Sequence, residues 1–128
     1  MCSADCNKTI IITDQNLMMP HIWSSLNHGL GPYPDGCTCV LDVEINATGC
    51  FYVEFPVGYD IAGTPENCEN DHLEISAPID SELLCGISPF PIPYEVCNNP
   101  GNTTTFTATF ITGTGDSATA PGFLLLIR

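Results

Sequence analysis

Basic residues are almost missing from this chain. Lys8 and Arg128 stand against 15 aspartates and glutamates, for a formal charge of −13. A nucleic-acid binder must neutralise phosphates with lysine and arginine, so that class is excluded. The same sign repels an anionic membrane surface. A calcium ion or a basic protein partner would suit such a field. The plainer reading is that the acids keep soluble a chain whose charged fraction is only 13%, about half the globular norm.

Long apolar runs are missing too. No stretch approaches the ~18 residues of a membrane-spanning helix, so no span is expected. The opening MCSADCNK has neither a basic nor an apolar leader region, and so reads as the start of a mature product or an excised domain. Catalytic signatures are equally scarce. There is no G-x-S-x-G, no HExxH and no Walker A loop, and GTGDSATAPG (113–122) lacks the glycine spacing of a dinucleotide loop. His21, His28 and His72 are scattered, and His72 beside Asp71 reads as a surface strand residue, so no catalytic residue is expected. Helical periodicity is confined to one candidate turn, HIWSSLNHG (21–29).

What is present is a series of short β segments. KTIIIT (8–13) is β-branched. CVLDVEI (39–45) sets Leu41, Val43 and Ile45 against Asp42 and Glu44, and CFYVEF (50–55) follows it after the turn NATG. DHLEIS (71–76) turns Leu73 and Ile75 inward, and FTATFIT (106–112) alternates Phe106, Ala108 and Phe110 with threonines. GFLLLIR (122–128) is a continuous apolar run, as in a strand buried on both faces or at an interface. Eleven glycines and eleven prolines punctuate the gaps. At 128 residues the chain is one domain, and this spacing predicts an all-β, two-layer antiparallel β-sandwich or jelly roll.

Eight cysteines fit four disulfides and an oxidising compartment, with about 105 pairings open to sequence alone. A zinc clip at Cys37-Thr38-Cys39 is set aside, because no second Cys/His pair of suitable spacing accompanies it. Three N-x-[ST] sequons, at Asn7, Asn46 and Asn102, agree with a secreted glycoprotein. Trp23 with Tyr33, Tyr52, Tyr59 and Tyr94 is the set that would line a sugar-binding surface, although aromatics in alternating strands more often pack the core.

Several segments, in this order, resemble the CUB domain, an extracellular β-sandwich module. They are GPYPDGCTCVLDVEI, CFYVEFPVGYDI, CENDHLEIS with its Cys-x-x-Asp-x-Leu-x-Ile pattern, LLCG followed by PFPIP, and TFTATFITGTGDSATAPGFLLLI. The resemblance covers roughly Gly29 to Ile127 and implies a CUB-like sandwich over 29–128. Residues 1–28 are then an N-terminal extension with one strand, disulfide-linked to the core. It implies a Cys68–Cys85 bridge, pairs Cys39 with Cys6, sets Cys50 and Cys97 on neighbouring strands, and leaves Cys2 with Cys37.

Many CUB domains bind calcium through a Glu after the aromatic-Asp turn, the Asp of Cys-x-x-Asp and an Asp after the penultimate strand. Here Asp71 keeps the middle position, while the outer two fall on Ala62 and Gly113. Asp60 and Asp116 are close enough in sequence to substitute, so the candidate calcium ligands are Asp71, Asp60 and Asp116. The plainer reading makes Asp71 an acceptor for its own loop amides.

Two functions from different classes follow. One is a secreted, glycosylated, non-catalytic interaction module that binds a protein or glycan. The other is a structural subunit that assembles with copies of itself into an extracellular fibre or matrix through its N-terminal strand, supported by NKTIIITDQNLMMPHIW and the apolar C-terminal run. Against the second, residues 8–13 are expected to fold back as an edge strand of their own domain, stapled by Cys2 and Cys6.

Overall fold

The computed structural model describes residues 6–16, 19–26, 28–63, 68, 70–76, 81–89, 91, 93–113 and 120–128. They form eleven strands: β1 (Lys8–Ile12), β2 (His21–Ser24), β3 (Thr38–Ile45), β4 (Gly49–Glu54), β5 (Tyr59–Ile61), β6 (His72–Ser76), β7 (Ser81–Leu84), β8 (Gly86–Ser88), β9 (Tyr94–Asn98), β10 (Thr104–Ile111) and β11 (Gly122–Ile127). One sheet has the order β1-β3-β10-β6-β7. The other has the order β8-β5-β11-β4-β9, with β2 also paired to β11. The fold is an all-β, disulfide-stapled, two-layer sandwich, antiparallel except where β1 runs parallel to β3.

Alternation places the layers. On β3, Leu41, Val43 and Ile45 are buried while Asp42 faces out, and on β10 Phe106, Ala108 and Phe110 are buried beneath a threonine row. Between the sheets the aromatic rings meet in series. Tyr33 packs edge-on to Phe110 at 5.0 Å, Phe110 to Phe123 at 5.0 Å, and Trp23 tilts against Phe123 at 5.2 Å. Each such buried ring contributes about 1.5–3 kcal/mol by leaving water. The second sheet is shaped by one break. β4 and β5 lie in line along β11, pairing at Leu126↔Glu54 and Phe123↔Tyr59, and the chain kinks between them at Gly58. Gly58 has φ +74°, and a Cβ there would strike the Ser88 carbonyl, so only glycine fits.

Two expectations are corrected here. The candidate helical turn at 21–29 begins instead as strand β2, because Trp23 turns into the core and its Nε1–H donates to the Cys6 carbonyl at 2.9 Å. Pairing with β11 then satisfies the main chain of His21–Ser24. The expected one-strand extension over 1–28 supplies two strands, one to each sheet. Ile10 and Ile12 bury fully against β3, so residues 8–12 are an integral edge of the sandwich. That edge is tied by the bridge Cys6–Cys39 and meets β2 where Lys8 Nζ donates to the Ile22 carbonyl at 2.7 Å.

Two further bridges are described, Cys50–Cys97 across β4 and β9, and Cys68–Cys85 joining the approach to β6 with the end of β7. Cys37 is disulfide-bonded as well, and the Cys2 half of the expected Cys2–Cys37 pair lies outside the described residues. Among the described residues no helix is long and apolar enough to cross a membrane.

Candidate functional site

The loops at one end of the sandwich converge on Asp71. It sits just before β6 with 1% of its surface exposed, beside Tyr33 at 2%. The Tyr33 hydroxyl donates to Asp71 Oδ2 at 2.6 Å, and the Gly113 amide donates to Asp71 Oδ1 at 2.7 Å. The Tyr33 oxygen in turn accepts from the Ala62 amide at 2.9 Å. A buried carboxylate without such partners would cost several kcal/mol, so these donors make its burial tolerable. Around this hub the chain is knitted further. The Cys37 amide donates to Thr112 Oγ1 at 2.7 Å, that hydroxyl donates to the Pro34 carbonyl at 3.0 Å, and the Gly36 amide donates to the Gly113 carbonyl at 2.9 Å.

Calcium takes six to eight oxygens and draws its affinity from several carboxylates. Among the described residues, the hub's hydrogen bonds converge on the carboxylate of Asp71. Ala62 and Gly113 bring main-chain amides to the hub where the resemblance implies acidic side chains, and a Cβ on Gly113 would overlap the Asn70 carboxamide. Asp60 lies mid-strand in β5, paired with Gly122 and Ile87. Asp116 lies outside the described residues. No cluster of three or more acidic, histidine or cysteine ligands among the described residues includes Asp71 or Asp60. The described cluster of that kind, Cys50, Glu95 and Cys97, has its sulfurs joined in a disulfide and offers no thiolate. Of the expected set Asp71, Asp60 and Asp116, the described hydrogen bonds place Asp71 at the hub.

The other singled-out residues separate. His72 Nδ1 bonds the Cys68 carbonyl at 2.8 Å rather than pairing with Asp71. Tyr33 is buried, Tyr52 lies on the outer face of its sheet hydrogen-bonded to Glu95 at 2.9 Å, and Tyr59 and Tyr94 are half-buried on the β7–β9 flank, so the four tyrosines form no common surface. The Glu95 carboxylate beside Tyr52 holds that phenol above its ordinary 10.0. The hub role of Tyr33 is what sequence reasoning missed, since nothing in a Tyr-Pro pair distinguishes a ring that joins three loops from one that packs the core.

The sequon asparagines are all exposed. Asn46 and Asn102 lie together at the end opposite Asp71, where Thr103 Oγ1 donates to Asn46 Oδ1 at 2.8 Å. Asn7 sits at the start of β1, its Oδ1 accepting from the Val40 amide at 2.8 Å.

Known structures share the fold of this disulfide-stapled sandwich. No protein-family model matches the chain, and no curated protein sequence does. Solved structures do, and the fold is CUB-like. The CUB1-EGF-CUB2 region of human MASP-1/3 is 20% identical with a TM-score of 0.69, covering 92% of this chain and 40% of that one. The MASP-1 CUB2 domain bound to Ca2+ is 19% identical with a TM-score of 0.65, covering 92% and 96%. The full extracellular region of zebrafish Gpr126/Adgrg6 is 11% identical with a TM-score of 0.72, covering 96% of this chain and 14% of that one. At these identities the likeness is one of fold, and the chain spans less than half of the two multidomain relatives.

Proposed function

We propose that this chain is a secreted, glycosylated and non-catalytic interaction module, which binds an extracellular protein partner and holds its loop end together with hydrogen bonds in place of calcium. The observation that carries the reading is the Tyr33–Asp71–Gly113 hub, in which one buried carboxylate ties together the loops that many CUB domains gather around an ion. Disulfides form and persist in oxidising compartments, and three are described here, which supports secretion. Non-catalytic action is supported by the separation of His72 from Asp71 and by the dispersal of the remaining titratable groups. Glycans on Asn46 and Asn102 would crowd the end opposite the hub, and one on Asn7 would shade the β1 flank. The flank formed by β7, β8 and β9 would stay bare for a partner.

The test is expression through a eukaryotic secretory pathway, with intact mass taken before and after N-glycosidase treatment. The glycoprotein is then immobilised against a panel of extracellular ectodomains. The reading expects secretion, a mass loss on deglycosylation and saturable binding to at least one ectodomain. Retention as a reduced intracellular chain would overturn it.

A further inference from the structure

On the flank away from β1 and β2, the edge strands β7 and β8–β9 of the two sheets leave an open cleft of about 510 Å3, lined by Tyr59, Tyr94, Glu82, Leu84, Pro91 and Pro93. Its walls are braced. Tyr59 packs edge-on against Phe55 at 5.4 Å, Leu84 is buried, and the half-buried Tyr94 lies beside the Glu82 carboxylate. Burial, then the neighbouring Glu82 carboxylate, push the Tyr94 phenol well above its ordinary 10.0, so it stays a neutral donor at any physiological pH.

Among the described residues no cation pairs with Glu82. The two basic residues are engaged elsewhere, Lys8 on the Ile22 carbonyl at 2.7 Å and Arg128 on Glu54 at 3.0 Å. We infer that this cleft receives a cationic side chain, lysine or arginine, from a protein partner. The charged head meets the exposed Glu82 carboxylate and the tyrosine ring faces, which attract cations through their quadrupoles. The aliphatic stem lies along Leu84 and the two proline rings. A neutral sugar would stack on the same rings but would desolvate Glu82 without compensating its charge, which is unfavourable. The inference rests on the interaction-module reading and names the chemistry of its partner.

Nuclear magnetic resonance of the 15N-labelled, disulfide-intact protein tests it with three probes: N-acetyl-Gly-Lys-Gly-amide, its Lys→Gln counterpart and methyl α-mannoside. The lysine tripeptide should shift the amide signals of Tyr59, Glu82, Leu84 and Tyr94 saturably, with the glutamine tripeptide at least about fivefold weaker, and Glu82→Gln should abolish that preference. Glu82 is exposed, so the variant folds, and Tyr94→Phe, which keeps the ring, should retain part of the binding. Equal shifts from the lysine and glutamine tripeptides, shifts from mannoside alone, or lysine-induced shifts only at the Asp71 loops would each overturn the cleft as a cation site. An ectodomain that binds wild type and Glu82→Gln alike would also overturn it while leaving the module reading intact. Failure of every ectodomain would count against the module reading, and the tripeptide titration would still decide the cleft.

Discussion

The hydroxyl of Tyr33 and the carboxylate of Asp71 meet at 2.6 Å, although 38 positions separate them in the chain. Through the same oxygen Tyr33 also holds the Ala62 amide, so one phenol joins three loops. Tyr33→Phe keeps the ring against Phe110 but leaves two buried polar partners without this bond. It should lower stability by about 1–3 kcal/mol. Urea denaturation would measure this, and an unshifted midpoint would mean that the hydroxyl is not a structural hub.

Calcium should leave the wild-type protein unmoved. Its melting temperature should be the same in excess calcium and in chelator, because both Asp71 oxygens already accept hydrogen bonds, from Tyr33 and from the Gly113 amide. Ala62→Glu combined with Gly113→Asp restores the acidic positions implied by the CUB resemblance, once the Asn70 carboxamide swings aside. That double variant should gain calcium-dependent stability, about 2.7 kcal/mol at a concentration a hundredfold above its Kd. A calcium-induced rise in the wild type would contradict the hydrogen-bonded hub.

Alkali should weaken the fold through Tyr94. Its folded pKa is raised above the ordinary 10.0 by burial and by the neighbouring Glu82 carboxylate, so the folded state favours the neutral phenol. That stabilisation is complete below pH 10.0 and is lost as pH rises beyond it toward the folded value, because the unfolded chain ionises first. Brief urea titrations between about pH 8 and 11 should show a steeper decline for wild type than for Tyr94→Phe. Parallel curves would remove Tyr94 as the cause.

Loss of the Cys68–Cys85 bridge should be costly. It closes a loop with a sequence separation of 17, for which constraint of the unfolded chain contributes about 3 kcal/mol. Cys68→Ala with Cys85→Ala should lower the denaturation midpoint accordingly, and an unchanged midpoint would mean that the native contacts around β6 and β7 already fix that loop.

The long strands were legible because alternation over six to eight residues has one explanation: β3 and β10 read as strands from Leu41, Val43, Phe106 and Phe110 alone. Strands of three or four residues carry no such period. β2, β5 and β8 exist because β11 and β5 offer them hydrogen-bonding edges, and those partners lie far along the chain. The parallel pairing of β1 with β3 is likewise tertiary, since Lys8–Ile12 would alternate identically in either direction. At the hub, Asp71 was legible as a candidate but its role was not. A calcium ligand and an acceptor for Tyr33 are the same residue in sequence, and the bonds from Tyr33 and from the Gly113 amide appear only once the loops are placed.

The most direct measurement is binding of the protein, expressed through a eukaryotic secretory pathway, to the panel of ectodomains, run once in calcium and once in chelator. The account predicts saturable binding with the same affinity in both buffers. Binding that disappears in chelator, or an absence of saturable binding to any ectodomain, would contradict it.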